Sequence, residues 1–237
     1  MKTLLTLTAR HSETESVESF RFRPEPPFTF QSGQYLRYTL DHPDPDERGI
    51  SRFFTIASAP SEGFIMVTTR LSLPGSSFKR ALRRLEEGAV IEAAGPYGQF
   101  VYPQPELPAV FIAGGIGITP FRSMLVDLAS RQLDPDITLL YANSTPAIPF
   151  QRLFDDLAAR QSRLKVIYTV GQPNADWKGR VGRIDEELLR EHVPDPDQAR
   201  FYVSGPKPLV EAMAKTLIDV GGRPERIKQD FFPGYES

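Results

Sequence analysis

The chain has 237 residues with 28 basic against 30 acidic side chains, and its 40% hydrophobic and 24% charged content excludes disordered and fibrous classes. So even a charge balance argues against a general binder of nucleic acid or anionic membrane, and the absence of cysteine removes disulfides, iron–sulfur clusters, thiolate zinc sites and cysteine nucleophiles together. The three histidines, His11, His42 and His192, lie far apart without carboxylates at ligand spacing, so no metal site is expected.

Lys2 ahead of Leu4 and Leu5 has the look of a signal peptide, but Thr6 and Thr8 interrupt the apolar stretch and no small-residue cleavage pattern follows. Alternation of Leu5 and Leu7 with threonines predicts a first strand instead. No run approaches the roughly 18 apolar residues that a membrane span needs, so a cytoplasmic protein is expected. Residues 17–23 (VESFRFR), 34–40 (QYLRYTL), 51–57 (SRFFTIA) and 63–70 (GFIMVTTR) read as further short strands, rich in β-branched and aromatic residues. One helix, over 77–85, interrupts them before Gly88. Short strands at regular spacing predict an antiparallel barrel or sandwich.

The period changes after the proline-rich stretch 103–108 (PQPELP). Residues 110–113 (VFIA) form an all-apolar run suited to a strand buried on both faces. A glycine turn follows, then a helix over about 120–132 and a strand over 137–142. Phe150, Leu153, Phe154, Leu157 and Ala158 share one helical face. A strand at 164–170, a helix around 184–191, a strand at 201–203 and a helix over 208–220 complete the alternation. Strand and helix taking turns predict a doubly wound α/β fold with a parallel sheet. The expected division is residues 1–103, a β-barrel domain, and residues 104–237, the α/β domain.

Residues 111–120 (FIAGGIGITP) are the strongest single motif. Gly114, Gly115 and Gly117 follow the first buried strand, and glycine lets backbone N–H groups approach a diphosphate with no Cβ in the way. The helix start adds unpaired donors and partial positive charge, with Thr119 as cap and Pro120 at the first helical position. Ala142, Asn143 and Ser144 stand where a plain dinucleotide fold places a ribose-binding carboxylate, which weakens a simple dehydrogenase reading.

GGIGITP followed by YVSGPKPLVEAM (202–213) resembles the nucleotide domain of the ferredoxin–NADP reductase superfamily. The first half agrees in chain order. Arg52, Phe53, Phe54 and Thr55 are similar to the family's Arg-x-Tyr-Ser flavin motif, Gly75, Ser76 and Ser77 to its phosphate loop, and residues 95–98 (GPYG) to its turn near the domain junction. The resemblance covers nearly the whole chain. It implies a flavoprotein oxidoreductase that passes hydride from NAD(P)H to FAD rather than FMN, and electrons onward. The alternative is a non-catalytic, flavin-bearing electron-transfer subunit of a larger complex.

Within that resemblance Arg52 pairs with a flavin phosphate, because its planar fork stays charged. Phe54, two residues on along the same strand face, lies against the isoalloxazine, and Thr55 offers a hydroxyl to N5. Gly75, Ser76 and Ser77 hold the pyrophosphate. The nucleotide's pyrophosphate rests on Gly114, Gly115, Gly117, Thr119 and Pro120, and its nicotinamide on Ser204, Gly205 and Pro206. Ser204 stands where the family usually has cysteine. Thr55 and Ser204 are therefore the catalytic candidates, and Phe231 or Phe232 is the C-terminal ring expected over the flavin. Residues 166–170 (VIYTV) run into Gly171, Gln172 and Pro173 without the Ser-Arg pair of NADPH-using relatives, which favours NADH; Arg180 and Arg183 are the cations within reach of a 2′-phosphate. Expected acceptors are ferredoxin, flavodoxin, an oxygenase component or a small molecule. The cationic stretch Lys79, Arg80, Arg83 and Arg84 is a candidate docking face.

Overall fold

The structure, a computed structural model, describes residues 1–71, 75–103 and 107–231. The chain forms two compact units, Met1–Val101 with Arg122–Asp127, and Tyr102–Phe121 with Leu128–Ser237.

In the first unit β1 (Lys2–Thr14), β2 (Val17–Glu25), β3 (Tyr35–Thr39), β4 (Ser51–Thr55), β5 (Ile65–Arg70) and β6 (Val90–Tyr97) pair antiparallel in the order β4-β3-β6-β1-β2-β5. The end strands β4 and β5 touch, so the sheet curls as the expected barrel-like layer. Inward residues alternate along β3 and the first half of β1, and Leu5, Leu7, Phe20, Phe22, Leu36 and Val67 belong to the core. Helix α1 (Ser77–Arg84) joins that core through Phe78 and Leu82, four residues apart on one face. Ser76 caps α1, its hydroxyl accepting the Lys79 N–H at 3.3 Å.

Two differences from the sequence reading have plain causes. Strand β1 continues past Arg10 to Thr14, because the ladder to β2 supports polar residues that carry no apolar alternation. Gly95 and Pro96 belong to β6 rather than to a turn; the strand ends at Tyr97, and its glycine and proline disguise it in the sequence.

The second unit holds β7 (Ala109–Gly114), a 3₁₀ turn over Gly115–Ile118, α2 (Thr119–Ser130), β8 (Ile137–Asn143), α3 (Gln151–Arg160), β9 (Leu164–Val170), β10 (Arg180–Val181), α4 (Glu186–His192), β11 (Arg200–Gly205), α5 (Lys207–Asp219) and β12 (Ile227–Phe231). Its sheet is parallel throughout, in the order β10-β9-β8-β7-β11-β12. Every residue of β7 is buried, as its unbroken apolar run predicts. Asp185 caps α4 by accepting the Leu188 N–H at 2.9 Å. The two-residue strand β10 is too short to leave a pattern in sequence. Among the described residues no helix is long and apolar enough to cross a membrane.

Candidate functional site

The chain runs outward from β7 through β8 and β9 to β10, then returns to lay β11 on the other side of β7. Reversal of strand order opens a crevice at the carboxyl ends of β7 and β11, where doubly wound sheets take their ligands. Gly114 and Gly205 end those two strands. A Cβ on Gly117 would lie 2.2 Å from the Ser204 carbonyl oxygen and 2.6 Å from the Gly205 Cα. One on Gly205, whose φ is +158°, would meet three backbone atoms of Gly114 at 3.2–3.3 Å. The glycines predicted as a diphosphate cradle therefore also let two backbones pass at a distance that no side chain allows.

Thr119 does not cap α2. The 3₁₀ turn leads straight into the helix, so Thr119 already has helical φ and ψ of −58° and −44°, and its hydroxyl donates back to the Ile116 carbonyl at 3.2 Å. A cap needs an extended residue, and none is left there. Pro120 follows Thr119 and is buried.

Ser204 is fully buried and its Oγ has no hydrogen-bond partner. A buried hydroxyl of this kind is open to water or a ligand as its partner. Opposite it, in register across β11 and β12, stands Asp230. Burial pushes the Asp230 carboxyl up to about 6. Sequence reading passes over Asp230 in favour of the aromatics that follow; its signal is the single carboxylate of β12, one residue before the strand ends. Phe231 ends β12 beside Gly205 and is 52% exposed, and Pro206 follows Gly205 at the start of α5. Phe232 lies outside the described residues.

Because Asp230 titrates higher in the folded chain than the usual 3.8, the folded state keeps a proton that the unfolded chain loses first. Stability from this group is present below about pH 4 and lost as pH rises through about 6. Asp230→Asn is expected to raise stability by about 1–2 kcal/mol at pH 8 and to leave it unchanged at pH 4. Urea unfolding of both proteins at the two pH values measures this, and an equal difference at both would contradict the assignment.

In the first unit, Arg52 on β4 is 5% exposed. Its NH1 donates to the carbonyls of Arg48, Gly49 and Ser51 at 2.8–3.0 Å, its NH2 to the Asp46 carboxylate, and its Nε is buried without a partner. The guanidinium also lies 5.7 Å from the centre of the Phe78 ring. The same Asp46 accepts the Ser77 N–H at 3.0 Å and the Arg48 N–H at 3.1 Å, while its own N–H donates to Ser77 Oγ at 3.0 Å. Burial pushes the Asp46 carboxyl up, but the Ser77 N–H, Arg52, the Ser77 side chain and the Arg48 N–H outweigh it and hold it well below the usual carboxylate range. Arg52 and the first N–H of α1 thus converge on one anion position, beside Gly75 and the capping Ser76.

Phe53 and Phe54 divide differently from expectation. Phe54 is half-buried between Tyr38 and Phe78, ring centres 5.9 and 5.7 Å away, and packs on the core. Phe53 is 61% exposed and meets Tyr35 and Tyr97 edge-on at 5.7 and 6.4 Å. Period-two alternation puts Arg52 with Phe54, so Phe53 necessarily faces the other way. Thr55 closes β4 and is buried.

Arg180 already has carboxylate neighbours. It faces Asp185, Glu187 and Glu191, each at 3.3 Å. Arg183, three residues on, is exposed.

A diphosphate fits both places by this chain's own chemistry: a buried arginine with an unpartnered Nε beside a helix start, and a glycine crevice beside an unpartnered buried hydroxyl. Residues 4–102 match the oxidoreductase FAD-binding domain and residues 111–215 the oxidoreductase NAD-binding domain. The chain is 28% identical over 235 residues to a flavohemoprotein of Bacillus subtilis, covering 95% of this chain and 58% of the relative. It is 30% identical over 177 residues to NADH-cytochrome b5 reductase 2 of Mycosarcoma maydis, covering 72% and 51%. The chain therefore spans little more than half the length of these two relatives. A crystal structure of a ferredoxin NADP+ reductase from Neisseria gonorrhoeae, with FAD and NADP bound, shares the fold at a TM-score of 0.78 and 21% identity, covering 97% of this chain and 98% of that one. An FAD-binding and an NAD-binding domain in this order, on this curled antiparallel sheet and this parallel sheet, make the chain a member of the ferredoxin–NADP reductase superfamily of oxidoreductases.

Proposed function

We propose that the protein takes hydride from NADH onto FAD and passes the electrons to a separate acceptor, with residues 1–103 holding the flavin and residues 104–237 the nucleotide. The observation that carries this reading is the glycine crevice at the reversal point of the parallel sheet, with Ser204 buried and unpartnered beside it.

Bound FAD supplies the hydride acceptor and the change from two-electron to one-electron transfer. The chain's residues supply position and field. Arg52 and the Ser77 N–H hold a flavin phosphate, with Gly75 and Ser76 shaping the loop, and the Thr55 hydroxyl donates to the ring nitrogen that is reduced. Phe54 braces the site from the core side, whereas Phe53 presents an exposed ring. Backbone N–H groups of Gly114, Gly115 and Gly117 receive the nucleotide's pyrophosphate, and Ser204, Gly205 and Pro206 receive its nicotinamide. Phe231 or Phe232 is the C-terminal ring assigned to cover the flavin. No side-chain base is required, because hydride transfer moves no free proton.

The NADH preference is supported by the neighbours of Arg180. Three carboxylates already engage it and compete with a 2′-phosphate for its charge. With ferricyanide as acceptor, kcat/KM for NADH is expected to exceed that for NADPH by about tenfold or more. Equal or better turnover with NADPH would contradict this.

This segment has no cysteine to hold an iron–sulfur cluster, so the acceptor site lies elsewhere: a ferredoxin, a flavodoxin, an oxygenase component or a small molecule. Arg80, Arg83 and Arg84 are exposed on α1 and suit an acidic carrier protein.

A further inference from the structure

The Asp46 carboxylate occupies the position that the flavin reading gives to a phosphate. It takes an Arg52 guanidinium hydrogen, the first backbone N–H of α1 from Ser77, and the Arg48 N–H, which are the three donor types that an oxyanion of a diphosphate seeks. Asp46 belongs to the loop between β3 and β4, whereas Ser77 lies 31 residues on, so the contact fastens that loop to the helix start. The loop also wraps the guanidinium itself, through the Arg48 and Gly49 carbonyls. Asp46 remains 30% exposed while Arg52 is 5% exposed, so the carboxylate rather than the arginine is the member free to leave for water.

We propose that Asp46 is a built-in competitor for the flavin phosphate: Arg52 and the Ser77 N–H hold either the carboxylate or the phosphate, and binding of the cofactor releases Asp46 and loosens the loop over residues 41–50. The proposal rests on the reading of Arg52 and Ser77 as phosphate ligands. Two anions cannot share one guanidinium edge and one N–H without strong like-charge repulsion, so one must yield. Competition of this kind keeps the charge of the buried arginine paired, and lowers the affinity for flavin by the strength of the contact that has to be broken. The depressed Asp46 carboxyl is consistent with it, since the group stays ionised well below neutral pH.

The test uses the full chain, stripped of flavin. FAD titrations followed by flavin fluorescence compare wild type, Asp46→Asn and Arg52→Ala. The expected result is FAD binding about tenfold tighter in Asp46→Asn than in wild type, and far weaker in Arg52→Ala. Unchanged or weaker binding in Asp46→Asn, with wild type still binding and Arg52→Ala impaired, overturns the competition and leaves the phosphate reading standing. If Arg52→Ala binds FAD as wild type does, the phosphate reading itself fails and the proposal fails with it. Hydrogen exchange of the wild-type protein serves as the second measurement and does not depend on the variant folding. Adding FAD should speed exchange of the Arg48 amide while protecting the rest of the FAD-binding domain. Slower exchange at Arg48 on adding FAD would overturn the proposal, because it would mean that Asp46 stays in place and steadies the arginine.

Discussion

Arg52→Ala is expected to weaken FAD binding about a hundredfold. A guanidinium gives a phosphate two charge-assisted hydrogen bonds, each worth about 1.5–3 kcal/mol, and about 3 kcal/mol corresponds to roughly two decades in affinity. The flavin-free protein should also lose about 1–3 kcal/mol of stability, since the Arg48, Gly49 and Ser51 carbonyls and Asp46 lose their donor together. Arg52→Lys separates the two effects. It keeps the charge but not the fork, so it should fold well and still bind FAD about tenfold more weakly than wild type. Calorimetric titration of the three proteins with FAD decides it, and an Arg52→Ala protein within threefold of wild-type affinity would remove Arg52 from the flavin site.

Gly117→Ala is expected to be the most damaging single-methyl change in the NAD-binding domain. The added carbon would sit 2.2 Å from the Ser204 carbonyl oxygen, 2.5 Å from its carbonyl carbon and 2.6 Å from the Gly205 Cα. All three are backbone atoms, so no side chain can rotate away, and the turn after β7 must separate from the end of β11. Overpacking of this kind costs about 3 kcal/mol or more, against the fraction of a kcal/mol that alanine returns by restricting the unfolded chain. Loss of NADH affinity should accompany it, because the same backbone forms the crevice. Gly171→Ala is the control. Its added carbon meets the Ser144 carbonyl at 3.7 Å, an ordinary contact, and should change stability by less than about 0.5 kcal/mol. Urea unfolding of both variants gives the comparison, and equal stabilities would mean that the crevice is less tightly closed than its geometry indicates.

The α/β half was the more legible in sequence because its signals are local. The apolar run before Gly114 and the helix face of Phe154 and Leu157 each act within a few residues. In the barrel-like half the reading failed where ladders override pattern: β1 past Arg10 is held by β2, and β6 ends in a glycine and a proline that resemble a turn. Site residues followed the same rule. Ser76, read as part of a phosphate loop, caps α1, and Thr119 was assigned a cap that the 3₁₀ turn makes impossible. Asp46 was invisible because its partners are set by the fold, with Ser77 31 residues away, and Asp230 because its meaning comes from the strand laid beside it. The exposure of Phe53 in place of Phe54 depended on which face of β4 meets the core, a choice that two adjacent phenylalanines leave undetermined.

The proposed function requires that this chain carry electrons from a nicotinamide nucleotide to a flavin that it holds itself. Its most direct test is an anaerobic titration of the FAD-loaded protein, following flavin absorbance near 450 nm as NADH is added, with NADPH in a parallel cuvette. Bleaching by close to one equivalent of NADH, and by NADPH only at higher concentration, is the predicted result. A bound flavin that neither nucleotide bleaches would contradict the account.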